Sequence, residues 1–221
     1  AGGFDVQFWP GEEMLAAFGV RKVTVEEYLE KEYFSVPVYV QLDPSLYNRS
    51  KLRTRFNLKH FFLHPDTYES DFGRFCSRTD LLIMAAYWDR RAPMLMTADD
   101  MRKPDFRISA IADITCDIGG SVPSTLRTTT FDQPYYDYNP VTASEEEAFS
   151  NLRNVTVMSI DNLPCGLPRD ASSDFGFNIM KSVIPILLGE DQEDVLGRAT
   201  IAENGSLTHR YAYLADWVGG A

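Results

Sequence analysis

Residues 111–134 read IADITCDIGGSVPSTLRTTTFDQP. The stretch opens as a short apolar strand. It then sets two carboxylates four residues apart, Asp113 and Asp117, ahead of the pair Gly119-Gly120. A strand that runs out into carboxylates and bare backbone is the pattern expected where a parallel sheet meets a ligand, because in open sheets of this kind ligands bind beyond the carboxyl ends of the strands. The competing structural reading is that Asp113 and Asp117 cap local turns.

The neighbouring segments repeat the pattern. Leu81–Ala86 is an unbroken apolar run, expected as a strand buried on both faces, and it ends at Ala86-Tyr87-Trp88-Asp89. Arg107–Ile114 and Val155–Ile160 are the next two strands, the second ending at Asp161-Asn162-Leu163-Pro164. Helical signals lie between and around them. Glu12–Phe18 is closed by Gly19, Thr97 caps a short helix through Met101, and Ser173–Leu188 is closed by Gly189. HPDTYESDFGRF, from His64, reads as helix from the spacing of Tyr68, Phe72 and Phe75. Ser35–Leu42 is β-rich and stops at Asp43-Pro44. Tyr138–Leu152, with Glu145-Glu146-Glu147, reads as an exposed loop with a solvated charge run. Asn204-Gly205 between two alternating runs predicts a two-residue hairpin. VRKVTVEEYLEK stays open between a strand (Val20, Val23, Val25) and a helix started by a Thr24/Glu27 capping box. Strands alternating with helices at this spacing predict an α/β fold with a mostly parallel sheet.

Composition narrows the function classes. The chain has 221 residues, 44% hydrophobic and 13% aromatic, enough for a packed core. A net charge of −11 disfavours nucleic acid and anionic membrane surfaces as partners. No apolar run reaches the roughly 18 residues of a membrane span, and no secretory signal is legible. The three cysteines, Cys76, Cys116 and Cys165, match no zinc or redox spacing, so free thiols and a cytoplasmic setting are expected. His60 and His64 lie four apart, without the glutamate of a metalloprotease motif or an evident third ligand, so no metal site is expected. Cys116, between two carboxylates, reads as small filler rather than a nucleophile. Trp88 and the Tyr135-Tyr136-Tyr138 cluster are read as packing before stacking on a planar ligand.

Three segments, DLLIMAAYWDRRAPMLMT, RISAIADITCDIGGSVPSTLRTTTFDQPYYDY and VTVMSIDNLPCGLPRDASSDFG, resemble the saccharopine dehydrogenase and lysine-ketoglutarate reductase group of the alanine dehydrogenase–transhydrogenase superfamily. The resemblance implies an NAD(P)-dependent oxidoreductase acting at the carbon–nitrogen bond of an amino acid or secondary amine. It implies a Rossmann-like domain over residues 1–168 and a C-terminal return, 169–221, whose long helix and β-hairpin lead back to a substrate domain. NAD or NADP is the expected cofactor. Its expected contacts are Ala86 and Tyr87, Ile114, Thr115, Cys116 and Asp117, and Ile160, Asp161, Asn162 and Leu163. Glu26 or Glu27 is expected at a strand end holding the adenosine ribose, which favours the strand reading of KVTVEE. Asp117 and its companion Asp113 are the expected catalytic carboxylates. The family's lysine and histidine acid–base groups belong to an N-terminal substrate segment not found in this chain, so the chain alone is expected to be an inactive part of a larger enzyme, with an oligomer left open. One departure stands out: the glycine-rich phosphate turn reduces to Gly2, Gly3 and Gly11 around Phe8, Trp9 and Pro10. A non-catalytic nucleotide-binding or regulatory module is the alternative.

Overall fold

The computed structural model describes Glu12 and residues 15–219, in two units divided between Asp161 and Asn162. The degenerate glycine turn falls outside the described residues.

Near the start of the first unit, β1 (Arg21–Lys22) pairs in parallel with β2 (Val38–Tyr39). Between them the helix Val25–Glu30 is capped by Thr24, whose Oγ1 accepts from the Glu27 N–H at 3.1 Å. This corrects the strand reading of KVTVEE. Glu26 and Glu27 sit in the first helical turn, where carboxylates complement the positive end of the helix dipole. Glu27 also pairs with Arg21 at 2.8 Å.

β3 (Asn48–Ser50) and β4 (Tyr68–Ser70) form an antiparallel ribbon. The helix expected from His64 is therefore broken into a 3-10 turn at Pro65–Thr67, the strand β4, and a single turn at Gly73–Cys76. Tyr68, Phe72 and Phe75 are all buried as the helical spacing required, but by a different backbone path. Tertiary bonds take the backbone out of the helix: the Asp71 N–H donates to Tyr47 O at 2.8 Å, and the Ser70 hydroxyl donates to Leu95 O at 2.6 Å.

The main sheet contains β5 (Leu81–Met84), β6 (Ala110–Asp113), β7 (Tyr136–Asn139), β8 (Ser144–Glu146) and β9 (Val155–Met158), in the order β5-β6-β9-β7-β8. β5, β6 and β9 run parallel; β7 runs antiparallel to both β9 and β8. The α/β expectation holds, with an antiparallel arm added to the parallel half. β5 was expected to be buried on both faces. It is instead an edge strand, with Leu82 and Met84 buried and Leu81 and Ile83 55% and 62% exposed.

The region read as an exposed loop, Tyr138–Leu152, contains the β7–β8 hairpin. The reason is burial: Tyr136, Asp137 and Tyr138 are inaccessible, and Asp137 accepts from the Thr156 hydroxyl (2.8 Å) and the Ser150 N–H (3.2 Å). Of the glutamate run, Glu145 pairs with Arg127 and Glu146 accepts from Asn139 and Asn154, while Glu147 stays solvated. Of the tyrosine cluster, Tyr136 and Tyr138 are core, as expected, whereas Tyr135 is 47% exposed with its ring edge-on to Phe149. Tyr136 packs with Phe75, Ile111, Val122, Val155 and Val157 in one apolar cluster.

In the second unit the long helix is Pro168–Ser182, followed after Val183 by Ile184–Leu188. The expected continuous helix breaks ahead of Pro185, which has no N–H to offer the preceding turn. β10 (Ala202–Glu203) and β11 (Ser206–Leu207) form the expected hairpin, with Asn204 and Gly205 at φ 49° and 82°, the left-handed pair that a type I′ turn requires. Among the described residues no helix is long and apolar enough to cross a membrane.

Two outcomes follow for stability and thiol chemistry. The Tyr136 hydroxyl donates to Ser124 O (2.7 Å) and accepts from the Leu126 N–H (2.8 Å). Tyr136→Phe leaves both groups unpaired and is expected to cost about 1–3 kcal/mol in urea unfolding, with an unchanged m-value. Burial pushes the Cys76 thiol up to about 12, with Asp100 adding to the shift, whereas Cys165 is exposed. At pH 8 a thiol reagent is therefore expected to label Cys165 rapidly and Cys76 only on unfolding.

Candidate functional site

Because β5, β6 and β9 are parallel, they end along one edge. Met84 lies opposite Asp113 in register, and Ala112 opposite Met158. The residues just beyond that edge are the ones the sequence singled out.

Asp113 is the last residue of β6 and is 1% exposed. Its Oδ1 accepts from the Thr115 N–H (3.1 Å), the Thr115 hydroxyl (2.6 Å) and the Cys116 N–H (3.2 Å), and its Oδ2 accepts from the Thr125 hydroxyl (2.6 Å). The carboxylate is thus consumed in shaping the turn. Asp113, expected as the catalytic companion of Asp117, shows the contacts of the turn-capping reading. Cys116 follows in the left-handed region at φ 55°, with its thiol near Asp113 O (3.2 Å) and Ile160 O (3.3 Å). Burial, then the Asp113, Asp161 and Asp117 carboxylates, raise its pKa, which suits packing and not nucleophilic attack.

Asp117 behaves differently. Its side chain is exposed and has no hydrogen-bond partner among the described residues. Its carbonyl accepts from the Gly120 N–H at 2.8 Å. A Cβ at Gly120 would stand 2.5 Å from Asp117 Cβ and 2.6 Å from Asp117 O, so only glycine lets this turn close. Gly119, at φ 63°, donates to Thr125 O at 3.2 Å and returns the loop to the core.

The facing wall is the loop after β5. Tyr87 is 84% exposed. The Trp88 indole N–H donates to Pro93 O at 3.3 Å. Asp89–Ala92 is a tight turn closed by the Ala92 N–H on Asp89 O at 2.7 Å. Arg91 forks onto the Asp89 carboxylate at 3.0 and 2.7 Å, and its side-chain and backbone hydrogen bonds hold that carboxyl down at about 2. The Leu95 N–H donates to Ser121 O at 2.7 Å, tying the two loops together. Between them lies a cleft of about 750 Å³ lined by Tyr87–Arg91 and Cys116–Ile118.

The structure therefore brings Tyr87, Cys116 and Asp117 to one cleft. Ala86 immediately precedes its Tyr87 wall; Ile114 and Thr115 form the turn beneath it, with the Ile114 N–H on Met84 O at 2.8 Å. Ile160 closes against Cys116, and Asp161 is near enough to act on its thiol. Asn162 and Leu163 open the second unit, where Asn162 precedes a 3-10 turn, Leu163–Gly166. Glu26 and Glu27 do not line the cleft. Sequence reasoning missed Arg90 and Arg91; the available signal was a pair of arginines directly after a strand-end Tyr-Trp-Asp. His60 Nδ1 lies 3.1 Å from the Tyr68 hydroxyl in an aromatic cluster with Phe56 and Phe61, and no group of three or more metal-ligating side chains occurs among the described residues.

Asp113→Ala strands the Thr125 hydroxyl and two backbone N–H groups and is expected to cost about 2–4 kcal/mol in urea unfolding. Asp113→Asn keeps one carbonyl acceptor and is expected to cost clearly less.

The chain matches the family model "Alanine dehydrogenase/PNT, C-terminal domain" over residues 25–211. It is similar to alpha-aminoadipic semialdehyde synthase of Arabidopsis thaliana, 32% identical over 167 residues, covering 72% of this chain and 16% of that protein. It is also similar to saccharopine dehydrogenase (NAD(+), L-lysine-forming) of Emericella nidulans, 30% identical over 110 residues, covering 48% of this chain and 28% of that protein. The chain thus spans less than a third of the length of these curated relatives. A solved L-alanine dehydrogenase shares its fold, with a TM-score of 0.51 at 22% identity over 95% of this chain and 50% of that one. The parallel half-sheet ending in the cleft is accordingly Rossmann-like, and the chain belongs to the alanine dehydrogenase/PNT C-terminal domain family.

Proposed function

We propose that this chain is the nucleotide-binding part of an NAD(P)-dependent oxidoreductase acting at the carbon–nitrogen bond of an amino acid or secondary amine. The observation that carries the reading is the cleft at the carboxyl ends of β5 and β6, with Asp117 exposed in it and free of any partner among the described residues. The family relationship supports the oxidoreductase class, and the names of the relatives supply the amino-acid chemistry.

The residues present suit a nicotinamide ring and its ribose. Tyr87 and Ile118 present open apolar surface, 84% and 67% exposed, on opposite walls of the cleft, and Gly119 leaves bare backbone beside them. The cofactor, when bound, supplies the hydride acceptor or donor. Asp117 accepts a hydrogen bond from the carboxamide or from the nitrogen of the substrate. Asp113 keeps the turn in shape. The substrate half of the site belongs to the part of the relatives' length that this chain does not span, so the chain by itself binds cofactor without turnover. Three unpaired thiols suit a reducing compartment such as the cytoplasm. Glu26 and Glu27 lie on a helix, so titration decides between NAD and NADP.

In calorimetric titration this chain is expected to bind NADH or NADPH. Asp117→Ala is expected to weaken binding or, in the longer protein, to lower turnover roughly 10²-fold, while leaving the melting temperature within a degree or two. Parallel losses of melting temperature and function would make Asp117 a structural cap. Absence of any binding heat would end the cofactor reading. Binding without dehydrogenase activity in the longer protein would favour a regulatory module.

A further inference from the structure

The cleft has two arginines, and the structure treats them differently. Arg91 spends its fork on Asp89, and its backbone N–H also binds that carboxylate at 2.8 Å. Arg90 shares the same tight turn and the same cleft, is exposed, and has no ion-pair or hydrogen-bond partner among the described residues. The Asp89–Arg91 pair therefore cancels itself and stiffens the turn, leaving Arg90 as the cleft's one unpaired cation among the described residues, with the unpaired Asp117 in the facing loop. In a chain of net charge −11, the overall field repels anions, so an anionic ligand group needs a local cation to settle on. A guanidinium offers a planar pair of donors matched to two oxygens of a carboxylate or phosphate.

We propose that Arg90 is the anion anchor of this cleft, binding a carboxylate or phosphate of the ligand, with Arg91 reserved by Asp89 for holding the turn. The inference rests on the function proposed above and deepens it, because it assigns a ligand contact to a residue on the wall opposite Asp117. The two oxyanion sources are the cofactor's phosphates and the substrate's carboxylate, and they predict different measurements.

The test compares wild type, Arg90→Gln, Arg90→Lys and, as a remote loss of the same charge on β3, Arg49→Gln. NADH and NADPH titrations are made with this chain, and steady-state kinetics with the longer protein and the amino acid it turns over. If Arg90 holds phosphate, Arg90→Gln weakens dinucleotide binding about ten- to a hundredfold and flattens its salt dependence. If it holds carboxylate, dinucleotide affinity stays and the KM for the amino acid rises by a similar factor with kcat little changed. In either case Arg90→Lys recovers part of the loss, and Arg49→Gln matches wild type. Unchanged dinucleotide affinity together with unchanged KM in Arg90→Gln overturns the inference alone. An equal loss in Arg49→Gln also overturns it, because the effect would then be one of net charge. A wild-type protein that neither binds dinucleotide nor turns over an amino acid overturns the proposed function and this inference together.

Discussion

A single buried carboxylate, Asp113, sets the geometry of the cleft. Four donors converge on it, three from Thr115 and Cys116 just beyond it and one from Thr125, twelve residues along. A carboxylate removed from water is tolerable only when its lone pairs are filled. Meeting that demand pulls the chain into a left-handed step at Cys116, sends Asp117 and Ile118 outward and brings the loop back at Thr125. The exposure of Asp117 is thus a consequence of the burial of Asp113.

The same loop is held from two further directions. Tyr136, in the antiparallel arm, fixes Ser124 and Leu126 through its hydroxyl, and Leu95 fixes Ser121 from the loop after β5. The antiparallel arm therefore contributes more than apolar area to the fold. Its buried tyrosines anchor the far side of the glycine loop, while the parallel strands place the near side. Arg127 lies over the Tyr136 ring at 4.8 Å and pairs with Glu145, so the glutamate run that reads as surface is partly tied into this support.

Errors of sequence reading fell where a partner distant in the chain decided the outcome. The spacing of Tyr68, Phe72 and Phe75 was correct about burial and wrong about helix, because pairing with β3 and the Tyr47 carbonyl claim backbone hydrogen bonds that a helix would make internally. The run Leu81–Ala86 was correct about the strand and wrong about burial on both faces, since apolar side chains do not reveal whether anything covers them. Tyr138–Leu152 looked solvated because its acidic residues are conspicuous, while the arm is organised by Tyr136 and Asp137, which are paired in register with Val157 and Thr156 of β9. The Thr24 cap overruled the apolar alternation at Val23 and Val25.

The sequence by itself determined the local devices: the strand runs at Leu81, Ile111 and Val155, the Thr97 helix cap and the Asn204-Gly205 hairpin. Each depends on residues within about one turn of one another, so the amino-acid pattern carries the answer. Only the tertiary structure decided which of two aspartates faces the cleft and which of two arginines is left unpaired. Both choices turn on solvation and on hydrogen-bond geometry. Asp113 is inward because Thr125 waits for it in the core, and Arg90 is open because the turn delivers Asp89 to Arg91.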